Sequence, residues 1–263
     1  MRRKAFTGLV IVIFELSLLL PQLSSAIPAM PSSASTSIQL ICPPTSLPGG
    51  EGSGGLIRIG TCEANPEGDT FLLFVGSISP YNVSMASVTD DHNPNSAWIG
   101  PVSCATSTDR NGGNNYFYYL ESSVAAEHGV IIKVTPTAGD TFNSALLVEA
   151  KGLDSKSLID QCATNSDQKA NIVISSPTVT TKYPSELLVA WGSCENLSSS
   201  MYVGFTAWTF LHAHNGMTGV GGCQAGLRIV NTTGSYKAEF EQSDVGTYAN
   251  SFVTFKAAVQ PVK

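Results

Sequence analysis

From residue 56 onward the chain is a succession of short apolar or alternating runs, each closed by Gly, Pro, Asn, Asp or Ser. Val, Ile, Phe, Tyr and Thr dominate these runs, the residues that suit a pleated, half-buried surface. The pattern predicts strands over 56–61, 70–78, 83–88, 116–120, 130–135, 145–150, 171–175, 186–191, 203–211, 227–230, 235–240 and 251–257. No window long enough for a core helix carries the i, i+3, i+4, i+7 spacing without a breaker, and 155–161 offers at most a turn or two. The class is therefore all-β. The expected architecture is an antiparallel two-sheet β-sandwich, jelly-roll-like, because two packed sheets bury both the alternating and the continuous runs.

The chain also echoes itself. Asp69-Thr70 followed by FLLFVGSIS resembles Ser185-Glu186 followed by LLVAWGSC; GVIIKV with the later SALLVEAKG resembles GSYKAEF with the later NSFVTFKAA. This suggests related halves, each expected to contribute strands to both sheets.

At the N-terminus, Arg2, Arg3 and Lys4 precede an apolar run over 8–20, and Ser24-Ser25-Ala26 supplies the small residues a signal peptidase reads. Residues 1–26 thus read as a signal peptide cut between Ala26 and Ile27. A spanning anchor is the weaker reading, since the run is shorter than the roughly 20 residues required and contains Glu15. Nothing downstream is apolar enough to span a membrane after cleavage, so the expected location is secreted and extracellular. Residues 27–55, rich in Pro, Ser and Gly, are expected to form a poorly ordered tail, and 56–259 a single β-sandwich domain.

Composition narrows the partners. The 263 residues carry 14 Lys+Arg against 20 Asp+Glu, a net charge of −6, with no basic cluster beyond residue 4, which argues against nucleic acid. A 13% charged, 43% hydrophobic chain can bury a core. In an exported chain, six scattered cysteines, Cys42, Cys62, Cys104, Cys162, Cys194 and Cys223, are disulfide candidates; Cys194 with Cys223 is the pairing suggested by two strands joined through one excursion. The sequons at Asn82, Asn196 and Asn231 lie beside turn-like stretches and matter only in a eukaryotic host.

The ordered set DTFLLFV, SVTDDHNPNSAW, YFYYLESSVAAEHGVIIKV, ALLVEAKGLDSKSLIDQ, VTTKYPSELLVAWG, GSYKAEF and SFVTFKA resembles secreted bacterial β-sandwich surface modules of unassigned function, over about residues 56–259. The most telling stretches are 145–160 and 180–191. The resemblance implies a sandwich fold and no particular ligand. The loop VTDDHNPN lacks the Asp-x-x-Gly-Asn turn of such modules, and six cysteines exceed their usual number.

Catalytic motifs are sparse. GEGSGG at 50–55 matches G-x-G-x-x-G but follows a Pro-rich stretch and precedes a strand, so it reads as a linker. His212 and His214 would share one strand face as in metal-binding cupins, yet the following NGMTGVGG lacks the expected Glu. Asp91, Asn93 and Asn95 begin like a calcium loop that Pro94 interrupts and Val102 leaves without its closing Glu. No metal site and no cofactor is expected. There is no G-x-S-x-G elbow or His-rich zinc signature. Glu239 and Glu241 share a strand face, as glycosidase acids do, but read better as solvated residues. Among the aromatics, Trp191 ends an apolar strand and reads as core, whereas Trp98, Tyr116, Tyr118 and Trp208 are candidates for a sugar-stacking platform.

The function expected is therefore non-catalytic: a secreted protein that binds or adheres to extracellular polysaccharide or a cell surface. The alternatives are a secreted glycan-active hydrolase or lyase using Glu239, Glu241 or Glu149, and a structural matrix or surface protein without a small ligand.

Overall fold

The computed structural model describes residues 37–41, 45–48, 57–60, 68–78, 85–93, 97–108, 113–121, 123, 130–136, 144–194, 208–213 and 222–259, all inside the compact unit Ser33–Lys263. The first half contains β1 (Gln39–Leu40), β2 (Thr45–Pro48), β3 (Ile57–Gly60), β4 (Thr70–Ile78), β5 (Met85–Asp90), β6 (Ser107–Thr108), β7 (Gly113–Leu120), β8 (Ile131–Pro136) and β9 (Ser144–Lys151). The second contains β10 (Ile159–Ser175), β11 (Val179–Thr180), β12 (Glu186–Cys194), β13 (Thr209–Ala213), β14 (Gly222–Val230), β15 (Ser235–Tyr236) and β16 (Glu239–Lys256). A 3-10 turn at Ser103–Ala105 is the one helical element among the described residues. All described pairings between strands are antiparallel, so the protein is all-β.

The two halves repeat one topology. The first sheet runs β1-β9-β4-β7-β6 with β2 also on β9, and the second runs β10-β16-β12-β14-β13. Taken in chain order, β1, β4, β6, β7 and β9 correspond to β10, β12, β13, β14 and β16 at every position. The small pairings agree, since β3 pairs β8 and β11 pairs β15. Each sequence echo falls on a corresponding pair: β4 with β12, β8 with β15, β9 with β16. One expectation is corrected here. Each half builds its own five-strand path instead of contributing to both sheets, because its last strand hydrogen-bonds back to strands of the same half.

Continuous apolar runs mark strands buried on both faces. In β4, Leu72 and Phe74 join a cluster containing Leu187, Val189, Trp191, Val253 and Phe255 of the second sheet, while Phe71, Leu73 and Val75 turn the other way, onto Val88, Ile132 and Val134. In β12, Leu187, Val189 and Trp191 enter the shared cluster, while Leu188 and Ala190 meet Ile174, Val179, Trp208, Phe240 and Phe252. The second cluster lies between the first sheet and the three-stranded sheet β3-β8-β5. The ribbon β10/β16 reaches the third cluster through register shifts between Asp167 and Val173, which let its distal half bend over the second sheet.

Within 27–55, expected as a tail, the described residues 37–41 and 45–48 include paired strands. Both β1 and β2 bond to β9, and Ile38 is buried in the central cluster. Backbone ladders need no apolar run, which is why Pro- and Ser-rich sequence concealed them. The stretch 155–161 is a turn running into β10 and not helical.

Candidate functional site

Asp90, the last residue of β5, organises the turn that follows. Its Oδ1 accepts the backbone N–H of His92 at 2.8 Å and of Asn93 at 2.5 Å, with Asn93 Nδ2 at 3.1 Å. Its Oδ2 accepts Trp98 Nε1 at 2.7 Å, and the Trp98 ring stacks on Phe71 at 6.3 Å. An aspartate bonding the backbone two and three residues on is the usual chemistry of such a turn. Asp91 Oδ1 meets His92 Nδ1 at 2.7 Å and accepts the N–H of Ile131 at 3.0 Å. Partial burial raises the Asp91 carboxyl, but the His92 and Ile131 hydrogen bonds outweigh it and hold the group below the usual carboxylate range.

These residues border a depression of about 290 Å³ lined by Thr89, Asp90, Asp91, Ile131 and Lys133. Thr89 lies opposite Lys133 in the β5/β8 ladder, so hydroxyl and ammonium share a face with Ile131, which is 49% exposed. A carboxylate, an ammonium and a hydroxyl around an apolar patch can hydrogen-bond a polyol and cover its C–H face.

Trp98 is thus the one proposed aromatic beside this depression, and it is half-buried. Tyr116 and Tyr118 are buried in the second cluster and Trp208 in the third, 7%, 4% and 7% exposed, so these three are core and form no stacking platform. Alternation in β7 sends Tyr116 and Tyr118 towards the three-stranded sheet, and burial raises the Tyr118 hydroxyl pKa. Asn93, part of the interrupted calcium-like pattern, donates its amide to Asp90.

Two carboxyl pairs lie in the interior at corresponding ends of the two repeats. Beside the start of β4, Asp69 (0% exposed) is hydrogen-bonded to Glu149 of β9 (2%), with Lys151 Nζ 3.5 Å from Asp69 Oδ1. Burial first, then the bond and charge of Asp69, push Glu149 up to about 8, against the pull of Lys151. At the start of β12, Glu186 (0%) is hydrogen-bonded to Asp160, whose side chain is 3% exposed. Burial pushes Glu186 up to about 7, helped by Asp160 and opposed by hydrogen bonds from Thr254 and the Tyr183 N–H. Of these four acids the sequence pattern points to Glu149 alone. Its partner is eighty positions away, and the signal is a carboxylate set inside a run that is otherwise buried.

Glu239 is an ordinary surface acid, 2.9 Å from Lys237 Nζ and accepting Ser175 Oγ at 3.3 Å. The side chains of Glu241 and His212 lie outside the described residues, as do His214 and Asn95. Cys104 and Cys162 form a disulfide. Cys42, Cys62 and the cleavage residues Ala26 and Ile27 lie outside the described residues; for Cys194 and Cys223 only the backbone is described, with Ser193 opposite Cys223 and Cys194 opposite Gly222. Among the described residues no three His, Cys, Asp or Glu side chains are grouped to hold a metal ion. No helix among them is long and apolar enough to cross a membrane.

Compared with known proteins, the chain matches no family model, no curated protein and no solved structure. The likeness to bacterial surface modules therefore rests on the quoted segments alone.

Proposed function

We propose that the chain is a secreted, non-catalytic β-sandwich that binds extracellular polysaccharide or a glycan-bearing cell surface. Two related sheets sharing one apolar cluster support the sandwich, and the leader-like N-terminus supports export. The observation that carries the non-catalytic reading is the disposal of the carboxylates. Glycoside hydrolysis needs two carboxyl groups about 5–10 Å apart across an open cleft. Glu149 is instead 2% exposed and hydrogen-bonded to Asp69, and Glu239 is paired to a surface lysine. The depression beside Trp98 supplies the polar and apolar surface that a sugar needs.

The test is retention of the purified protein on a panel of soluble and insoluble polysaccharides, with reducing-sugar release assayed in the same tubes. Retention without release, lost in the double variant Asp91→Ala/Lys133→Ala, is the expected result. Release of reducing sugar overturns the non-catalytic reading, and absence of retention on every glycan overturns the binding one.

A further inference from the structure

Lys151, Asp69 and Glu149 form a cluster whose chemistry extends beyond an ion pair. Thr70 lies opposite Ala150 in the β4/β9 ladder, and continuing that register by one residue brings Asp69 opposite Lys151. Glu149, two residues before Lys151 on β9, shares its face and is hydrogen-bonded to Asp69. The Lys151 amine, on a side chain 41% exposed, sits 3.5 Å from a carboxyl group that is 0% exposed. Water is thus excluded from the carboxyl carbon while a nucleophile is held beside it.

We propose that Lys151 and Asp69 condense into an intramolecular amide that covalently joins β9 to the start of β4, with Glu149 carrying the proton. The Lys151 ammonium passes one proton to the Asp69 carboxylate, and the free amine attacks Cγ of Asp69. Glu149 delivers its proton to the departing hydroxyl, which leaves as water, and takes one back from the nitrogen, so that the ammonium and carboxylate become one amide and one water. No oxidant or outside reactant is needed. Glu149 suits the role because burial and Asp69 keep it protonated up to about 8. The product is favoured because a neutral amide replaces an ion that would otherwise stay buried beside a second acid.

A second lysine–aspartate contact, at the start of β10 and outside the β4/β9 register, lacks this arrangement. There Lys182 Nζ is 3.9 Å from Asp160 and its side chain is 68% exposed. Asp160 already accepts the Lys182 N–H at 2.8 Å and Gln161 Nε2 at 3.1 Å. No bond is expected at that site.

The experiment is a tryptic map of the reduced, denatured full chain by tandem mass spectrometry. The expected product is a branched peptide joining Asp69 to Lys151, lighter by one water than its two parts, with cleavage lost after Lys151. Lys151→Arg, which preserves the charge but cannot condense under these conditions, should restore two separate peptides. Glu149→Gln, which keeps the shape, should slow bond formation about a hundred-fold. Separate unmodified peptides from the wild-type chain overturn the proposal. So does a water lost from the Asp69 peptide alone, the mark of a succinimide. An undiminished bond in Glu149→Gln removes Glu149 from the mechanism.

Discussion

Phe74 of β4 and Trp191 of β12 stand with ring centroids 6.2 Å apart, each from the middle strand of its own sheet. Phe117 and Phe255 make the neighbouring contact between the sheets at 5.4 Å. The two repeats are therefore held together by large rings at their centres. Trp191→Ala should destabilise the fold by about 3–5 kcal/mol through lost burial and a residual cavity. Trp191→Phe should cost much less, because Trp191 Nε1 is buried with no hydrogen-bond partner and its removal relieves an unsatisfied donor. Urea midpoints of the two variants decide this, and equal losses would refute the packing account.

The Cys104–Cys162 disulfide ties the 3-10 turn of the first half to β10 of the second, across a sequence separation of 58. Closing a loop of that length in the unfolded chain stabilises the native state by about 4 kcal/mol on the chain-entropy account. The double variant Cys104→Ser/Cys162→Ser should lower the denaturation midpoint accordingly, and each single variant should free one thiol for alkylation. A midpoint unchanged in the double variant would show that the apolar cluster alone holds the halves together.

Gly152 follows Lys151 with φ +79°, in the region where a side chain is strained, and a Cβ there would lie 2.6 Å from the backbone oxygen of Ser37. Gly152→Ala should therefore cost at least about 1 kcal/mol from the backbone alone and push residues 37–41 off β9. Limited proteolysis checks the second effect. New cleavage near Gln39 is expected, whereas Gly68→Ala, also at positive φ but with nothing within 4 Å, should leave that segment protected.

What could be read from the residues follows from what each strand buries. FLLFV and LLVAW announce β4 and β12 because both faces are apolar. β10 was legible only over 171–175 because IDQCATNSDQKAN looks like a loop; it pairs with β16 alone and needs few apolar side chains. β1 and β2 were hidden for the same reason. The Asp90–Asn93 turn was legible as a polar loop, and its hold on Trp98 was not, since that depends on a contact eight residues away. Asp69 with Glu149, and Asp160 with Glu186, became visible only once register brought distant segments together.

Glu186 makes stability depend on pH in a defined direction. Its carboxyl is held up to about 7 in the folded chain against 4.5 ordinarily, so between those values the folded state binds more protons than the unfolded state. This contribution is full below the ordinary value and fades as pH rises through about 7. Asp154 acts oppositely. Burial raises it, but the Lys156 N–H and the Lys256 ammonium outweigh that and hold it below 3.8, so its contribution disappears as pH falls into that range. The melting temperature should accordingly peak near mildly acidic pH and decline towards pH 8. A tenfold difference in proton affinity between the folded and unfolded states is worth about 1.4 kcal/mol before solvent screening. Glu186→Gln should remove part of the alkaline decline, the rest belonging to Glu149, which burial and Asp69 hold up to about 8, and should leave the acid limb intact. Scanning calorimetry from pH 3 to 9 tests both, and a decline towards pH 8 undiminished in Glu186→Gln would assign it to another group.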